Sequence, residues 1–185
     1  CKKSNKSVTY GQIALYSLYE KNQKQLAAEA SHITHKSPPP FSAHFVEVAV
    51  DTETGQVKVI EYLNVTDCGT AINPKLAEGQ CEGAVLNGIS FALTEEYIFD
   101  LKGRMLNPSF NNYKIFSSTD APKIRTILIP SYEETGPYGA KSVSEIGING
   151  ALPAIANAIC DACGVRLLRS PYTAEKVFNA MNGLK

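Results

Sequence analysis

The sequence has no excess of charge of either sign. Lys and Arg together number 18, and Asp and Glu together also number 18, in a chain of 185 residues. Proteins that bind nucleic acid or an anionic membrane surface usually present a net positive field. The balance therefore argues against nucleic acid, a membrane surface or a polyanion as the partner, and we expect none of them.

Long apolar runs and a signal peptide are also missing. No run approaches the roughly 18 apolar residues of a membrane span, and the first ten residues, CKKSNKSVTY, lack an apolar core. The chain begins at Cys1, which we interpret as the loss of upstream residues; a lipid-modified N-terminal cysteine is the alternative. We therefore expect a chain that does not enter a membrane.

The five cysteines do not form the even, closely spaced set of a secreted disulfide scaffold. A reducing, cytoplasmic setting is expected instead. Cys160 and Cys163 form a CxxC motif, but no second CxxC and no histidine at zinc-finger spacing accompanies them. Cys68 and Cys81 likewise have no ligand set in the sequence. Buried structural thiols are the prediction for Cys160 and Cys163, and a thiol redox pair is the alternative.

Histidines and nucleotide motifs offer little chemistry. His32, His35 and His44 flank a proline-rich connector and the start of a strand, which favours a solvated loop over a metal site. GxGxxG and P-loop motifs are absent, and no Ser-His-Asp arrangement can be recognised. The sequence therefore does not indicate nucleotide binding by these motifs or hydrolysis by a Ser-His-Asp triad.

Strand signals are clearest in residues 43–65. Val46, Val48 and Val50 alternate with residues of the opposite face, and the alternation resumes after TETG. Gly55 can supply the positive φ that the turn of a β-hairpin needs. A second hairpin is predicted around Lys102 and Gly103, and a short strand over residues 124–129.

Four helices are predicted from apolar spacing and capping residues. They begin after Thr9, after Asn73, at residue 151 and after Thr173. Because helices and strands mix without a regular βαβ rhythm, the fold class is α+β. Residues 1–37 form an N-terminal helical segment with a proline-rich connector, and residues 38–185 a second domain.

Three glycines interrupt the helix that follows Asn73. Gly79, Gly83 and Gly88 each cost about 1 kcal/mol relative to alanine in a helix interior. Such positions suggest that another helix, a strand or a ligand approaches the backbone closely. The sequence predicts a close contact along this helix.

The stretch GAKSVSEIGING, residues 139–150, carries one carboxylate, Glu145, among small residues. A solvated surface loop would explain it. The glycines would also let the backbone approach a ligand, and a helix N-terminus nearby could receive an anion. Spacing alone leaves both interpretations open.

Several stretches together resemble one family. They are DCGTAINPKLAEGQCEGAVLNGISFALTEE, NPSFNNYKI, GPYGAKSVSEIG, PAIANAI and GVRLLRSPYTAEKV. The chain, from about residue 8 to its end, resembles the C-terminal part of the molybdenum-binding subunit of the xanthine dehydrogenase and aldehyde oxidase family. The implied fold for residues 38–185 is part of that family's molybdopterin-binding domain.

The resemblance also assigns site residues. In that family a GxGE-type loop places a glutamate beside the molybdenum, which here is Glu145, and the glutamine of an EGQ helix approaches the pterin, which here is Gln80. The loop backbone before the glutamate lies against the cofactor. This adds the residues Lys141, Ser142, Val143 and Ser144. No side chain of this chain is expected to bind the metal directly.

Two residues depart from the family pattern. Ser144 stands where glycine is usual, and Ile146 where proline is common. Serine adds a Cβ and a hydroxyl beside the expected site, which affects the distance to the cofactor and the substrate range. A non-catalytic binding or scaffold module with the same fold is therefore the alternative.

The resemblance implies oxidative hydroxylation of an N-heterocycle, such as a purine, or of an aldehyde, with oxygen derived from water. Glu145 would be the general base. The implied cofactor is the molybdenum cofactor, molybdopterin with or without an attached cytosine dinucleotide. The implied partners are the rest of the molybdenum subunit and domains or subunits that carry 2Fe-2S clusters and FAD. The chain alone is expected to be inactive.

Overall fold

The chain divides into two compact units, residues 1–33 and 34–185. The structure, a computed structural model, describes residues 6–20, 24–31 and 33–184. The first unit contains helix α1 (Tyr10–Tyr19), which begins as predicted after Thr9, whose side chain accepts a hydrogen bond from the Gln12 N–H. None of the α1 residues is buried. The predicted domain boundary after residue 37 stays a prediction.

A three-stranded sheet forms the centre of the second unit. Strands β1 (Phe41–Val50) and β2 (Val57–Asp67) pair antiparallel, which confirms the predicted hairpin. Gly55 has a φ of 76° in the turn between them. Strand β3 (Lys123–Leu128) pairs parallel to β2, so that β2 lies in the middle.

The second predicted hairpin is much smaller than expected. Around Lys102 and Gly103 only a single antiparallel bridge forms, between Phe99 and Met105. The Asp100 carboxylate accepts hydrogen bonds from the N–H groups of Lys102 and Arg104. This loop is therefore a capped turn and adds no strand to the sheet.

The helices of the second unit are α2 (Pro74–Leu93), α3 (Ile146–Asn149), α4 (Ala151–Cys163) and α5 (Ala174–Met181). Asn73 caps α2 and Thr173 caps α5 through side-chain acceptors, as the sequence predicts. Gly164 ends α4 in the left-handed conformation. The short helix α3 is an addition to the predicted set.

Helices α2 and α4 cover one face of the sheet. Their apolar faces pack on inward-pointing β2 side chains to form one core. The buried core residues are Val59, Tyr62, Val85, Ile89, Ala92, Ala151, Ile155, Ile159, Tyr172 and Val177. Helices packed on one face of a small mixed sheet make an α+β unit, as predicted.

The opposite face of the sheet carries exposed apolar side chains. Phe41, Phe45, Ile60 and Ile127 are each at least 40% exposed. Exposed apolar side chains on one face of a sheet can pack against other protein. We call these four residues the open sheet face.

One apolar segment reaches the length of a membrane span, contrary to the expectation from the sequence. Ile146–Cys163, which comprises α3 and α4, is long and apolar enough to cross a membrane by length and composition. Core helices of soluble proteins meet the same criteria, and Ala151, Ile155 and Ile159 contribute to the core. This is weak evidence for a membrane span.

The glycines of α2 divide into two groups. A Cβ at Gly88 would collide with the side chain of Ala151 and lie 3.0 Å from the Ile148 carbonyl oxygen. At Gly79 and Gly83, a Cβ would meet no described atom within 4 Å. The predicted close approach is thus present at Gly88, while within the described chain the other two positions face open space.

Candidate functional site

The loop that carries the predicted site is attached to the end of β2. The Lys141 N–H donates to the Cys68 carbonyl oxygen at 2.7 Å, and the Thr70 N–H donates to the Gly139 carbonyl oxygen at 2.7 Å. Gly69 and Ala140 form an antiparallel bridge between the two segments. The loop is therefore held by backbone hydrogen bonds at its first residues.

An ion pair fixes the same place through side chains. The Lys141 ammonium lies 2.6 Å from the Asp67 carboxylate, and the Lys141 side chain is only 8% exposed. The other Asp67 oxygen accepts from the Ser131 hydroxyl at 2.6 Å and from the Gly69 N–H at 2.9 Å. Lys141 also lies 5.3 Å from the centre of the Phe41 ring. Its side chain thus anchors the loop, and its charge is neutralised.

These contacts set the pKa of Asp67. Burial alone would raise this pKa, but the hydrogen bonds from Lys141, Ser131 and Gly69, with the charge of Lys141, outweigh burial and lower the pKa to about 2. A carboxyl pKa lower in the folded than in the unfolded chain stabilises the fold above the unfolded value of 3.8. That stabilisation is lost as the pH falls through the folded value.

We expect Asp67→Asn to lower the free energy of unfolding at pH 7 by about 2 kcal/mol, from the pKa difference. The difference between wild type and variant should shrink as the pH falls from about 5 to about 2. Urea unfolding at pH 7 and pH 3 measures it. Glu134→Gln, an exposed carboxylate of the same region, is the control and should change little. A difference that does not depend on pH would contradict the assignment.

One pocket of about 480 Å³ lies between the start of α2 and this loop. It brings Gln80 together with the four predicted loop residues. Its lining residues are Cys68, Thr70, Ala71, Ile72, Asn73, Leu76, Ala77, Gln80, Ala140, Lys141, Ser142, Val143 and Ser144. Five of the six predicted site residues therefore share one cavity, although Gln80 is separated from the others by about 60 positions in the sequence.

Three residues of the pocket lining have backbone donors without partners in the described part of the chain. The N–H groups of Ser142, Val143 and Ser144 donate no hydrogen bond within the described residues. The Ser142 and Ser144 hydroxyls lie 3.4 Å from each other. Three successive free N–H groups beside a cavity can receive the acceptor atoms of a ligand.

Glu145 directly follows this pocket wall. It is the N-cap residue of α3, is exposed, and does not cap the helix with its side chain. The described part of the chain gives its carboxylate neither a hydrogen bond nor an ion pair. The helix predicted to follow this loop is α4, which begins at Ala151, and the short helix α3 lies between it and Glu145. The backbone of Glu145 is nevertheless well held, since its carbonyl accepts from the N–H groups of Ile148 and Asn149 at 3.1 and 3.2 Å.

The other sequence candidates lie elsewhere. Cys160 and Cys163 are half-buried rather than buried, and the Cys163 thiol donates to the Ile159 carbonyl oxygen at 3.0 Å. Burial raises the pKa of Cys68 and of Cys81. No described group of three or more His, Cys, Asp or Glu side chains could bind a metal.

The three histidines of the sequence lie in different environments. His32 lies outside the described residues, and His35 is exposed in a loop. His44 was predicted to be solvated, which is wrong, because it is half-buried in β1 and bonded to neighbouring side chains. Sequence reasoning also missed Asp67. The DCG motif, in which an aspartate side chain caps a glycine two residues later, is the signal that could have indicated it.

Comparisons with known proteins identify the family. Residues 1–122 match the molybdopterin cofactor-binding domain. The chain belongs to this family. It is 42% identical over 175 residues to probable hypoxanthine oxidase XdhD of Escherichia coli strain K12, a match that covers 94% of this chain and 18% of that protein.

Two further relatives are a molybdenum-binding subunit and an aldehyde oxidoreductase. The xanthine dehydrogenase molybdenum-binding subunit of Escherichia coli O157:H7 is 38% identical over 155 residues, which cover 83% of this chain and 21% of that protein. The aldehyde oxidoreductase from Desulfovibrio gigas superposes with a TM-score of 0.71 at 29% identity, over 77% of this chain and 15% of that one. The chain thus spans about a fifth of the length of the relatives it matches.

Proposed function

We propose that this chain forms one wall of the molybdenum cofactor site in a hydroxylase of the xanthine dehydrogenase and aldehyde oxidase type, with Glu145 as general base. The observation that carries the proposal is the single pocket shared by Gln80 and residues 141–144. Glu145 is the next residue after that pocket wall. The test is replacement of Glu145 by Gln in the complete subunit, with molybdenum content measured beside turnover.

The residues of the pocket suit an organic cofactor rich in hydrogen-bond acceptors. The free N–H groups of Ser142, Val143 and Ser144 would donate to it, and the exposed Gln80 amide can both donate and accept. Gly79 leaves open space beside Gln80, because a Cβ there would meet no described atom within 4 Å. Since the described side chains offer no metal-binding cluster, the cofactor itself would hold the metal.

Glu145 would remove the proton from the water-derived oxygen that enters the product. When bound, the molybdenum cofactor supplies the two-electron oxidation. A base must be ionised to act, and the exposed Glu145 carboxylate has no described cation that would compete for it. Lys141 does not compete because Asp67 neutralises it. A positioned general base contributes roughly 10²–10⁴ in rate.

The substrate class we propose is an N-heterocycle of the purine type, with an aldehyde as the second candidate. The 42% identity to the probable hypoxanthine oxidase supports the first, and the structural likeness to the aldehyde oxidoreductase supports the second. Ser144 places a hydroxyl at the pocket wall. That hydroxyl could donate to a ring nitrogen or a carbonyl oxygen of the substrate or cofactor.

The proposal requires other polypeptide. The rest of the molybdenum subunit would complete the pocket and cover the open sheet face, whose phenylalanines are 63% and 58% exposed. Electrons would leave through 2Fe-2S clusters toward FAD on partner domains or subunits. The cofactor would be molybdopterin with or without an attached cytosine dinucleotide, and the setting would be the cytoplasm.

The isolated 185-residue chain should fold but neither retain molybdenum nor turn over. It has a continuous core, yet by this proposal most of the cofactor site belongs to the rest of the molybdenum subunit. Metal analysis of the purified chain should give far less than one molybdenum per chain, and circular dichroism should show helices and strands. Stoichiometric molybdenum would contradict the proposal that most of the cofactor site lies elsewhere.

A non-catalytic module with the same fold is the second candidate, favoured by the Ser144 hydroxyl close to Ser142 in the pocket. It predicts that replacing Glu145 leaves the behaviour of the complete protein unchanged. The two candidates therefore give opposite results in the same experiment.

A further inference from the structure

Two side chains converge on the Ile146 carbonyl group, which follows Glu145, and a third side chain bonds to one of them. The Ser42 hydroxyl and His44 Nε2 each lie 3.3 Å from the Ile146 carbonyl oxygen, and 2.7 Å from each other. His44 Nδ1 lies 2.9 Å from the Tyr62 hydroxyl. We call Ser42, His44 and Tyr62 the carbonyl anchor.

The hydrogen bonds of the carbonyl anchor can all be satisfied with one assignment of donors and acceptors. A carbonyl oxygen only accepts, so Ile146 needs a donor from Ser42 or from His44 Nε2. If Nε2 carries the proton, Nδ1 is an acceptor, and the Tyr62 hydroxyl donates to it. Burial lowers the pKa of His44 more than the hydrogen bond to Ile146 raises it, which favours the neutral ring that this arrangement uses. Tyr62 is fully buried and thus holds the ring in place.

Two glycines allow the segment after Glu145 to pack closely against β1 and α2. Gly150 lies on the His44 ring, where a Cβ would collide with the ring atoms. Gly147 lies on α2, where a Cβ would be 2.9 Å from the Ala84 side chain and 3.0 Å from the Cys81 carbonyl oxygen. Side chains at either position would push α3 away from its support. The glycines of this stretch therefore allow tight packing, and the carbonyl anchor fixes the orientation of the backbone after Glu145.

We propose that His44, held by Ser42 and Tyr62, is a positioning residue that fixes the backbone carrying Glu145. It touches neither the pocket nor the carboxylate and acts through the Ile146 carbonyl. This inference rests on the proposed function of Glu145 for its catalytic meaning. The anchoring of the Ile146 carbonyl does not depend on that function, because it follows from the contacts within the chain.

Hydrogen exchange of the 185-residue chain tests the anchoring directly. In His44→Ala, the amides of Ile148 and Asn149, which donate to the Glu145 carbonyl oxygen, should exchange at least tenfold faster, while those of α4 and of residues 74–93 keep their wild-type rates. His44→Gln places an amide donor near the Nε2 position and should restore most of the protection. His35→Ala, an exposed loop histidine, is the matched control and should have no effect. Equal acceleration over the whole core, or none at Ile148 and Asn149, would overturn the proposal.

Kinetics of the complete subunit test whether His44 acts through Glu145. We expect His44→Ala to lower kcat about tenfold to a hundredfold with KM and molybdenum content unchanged, because a displaced base loses alignment rather than binding. In a Glu145→Gln background the same change should have almost no further effect. An undiminished effect in that background would overturn the proposal. If Glu145→Gln alone leaves turnover intact, the proposed function fails, and the exchange rates still decide whether His44 anchors the loop.

Discussion

Glu145→Gln in the complete molybdenum subunit should lower kcat by about 10²–10⁴ while molybdenum content stays at the wild-type level. Glutamine has nearly the size of glutamate but cannot accept the proton, so the change removes general-base catalysis and little else. Retention of the metal is expected because the free donors of the pocket wall, the N–H groups of residues 142–144, belong to the backbone. The measurement is steady-state turnover of a purine and an aldehyde substrate, normalised to bound molybdenum.

The control is Glu53→Gln, a carboxylate in the turn of the β1–β2 hairpin. It should leave both turnover and molybdenum content unchanged. If the Glu145 variant turns over like the wild type, Glu145 is not the base. That result would support the second candidate, a non-catalytic module with the same fold. Loss of molybdenum together with turnover would instead assign the residue to cofactor retention.

Gly139→Ala should be the most damaging small substitution in the loop. Gly139 has a φ of 84°, and its Cβ would lie 2.6 Å from both a Tyr132 ring carbon and the Thr70 hydroxyl. A left-handed conformation costs a non-glycine residue about 1–2 kcal/mol, and overpacking adds about 1–3 kcal/mol. We therefore expect an overall loss of about 2–5 kcal/mol in chemical denaturation. In the complete subunit molybdenum content should also fall, because the displaced loop lines the pocket.

Gly103→Ala is the matched comparison for this substitution. Gly103 also has a positive φ, 77°, but a Cβ there would meet no described atom within 4 Å. Only the conformational cost of about 1–2 kcal/mol should appear, with molybdenum content unchanged. Equal losses at the two positions would show that the contacts of Gly139 with Tyr132 and Thr70 do not hold the loop.

Elements with local signals could be predicted from the sequence. The alternation of Val46, Val48 and Val50 indicated β1, and Asn73 and Thr173 marked the starts of α2 and α5, because strand faces and helix caps depend on neighbouring residues. The parallel pairing of β3 with β2 could not be predicted. It depends on a crossover of more than 50 residues whose two ends carry no sequence signal for each other.

For the site as well, some residues could be predicted from the sequence and others could not. Resemblance to a family supplied Gln80 and the loop residues, but not why the loop stays in place. The Asp67–Lys141 ion pair joins residues 74 positions apart, and His44 meets Ile146 across 102 positions. Such contacts arise only when the sheet and α3 come together. The burial of His44 could not be predicted, because nothing in the sequence shows what covers a side chain at the start of a strand.

A crystal structure of the complete subunit with its cofactor tests the central claim most directly. The account predicts cofactor atoms within hydrogen-bonding distance of the N–H groups of residues 142–144 and of Gln80, with the Glu145 carboxylate within proton-transfer reach of the reacting centre. A cofactor bound elsewhere, with Glu145 facing bulk solvent, would contradict it.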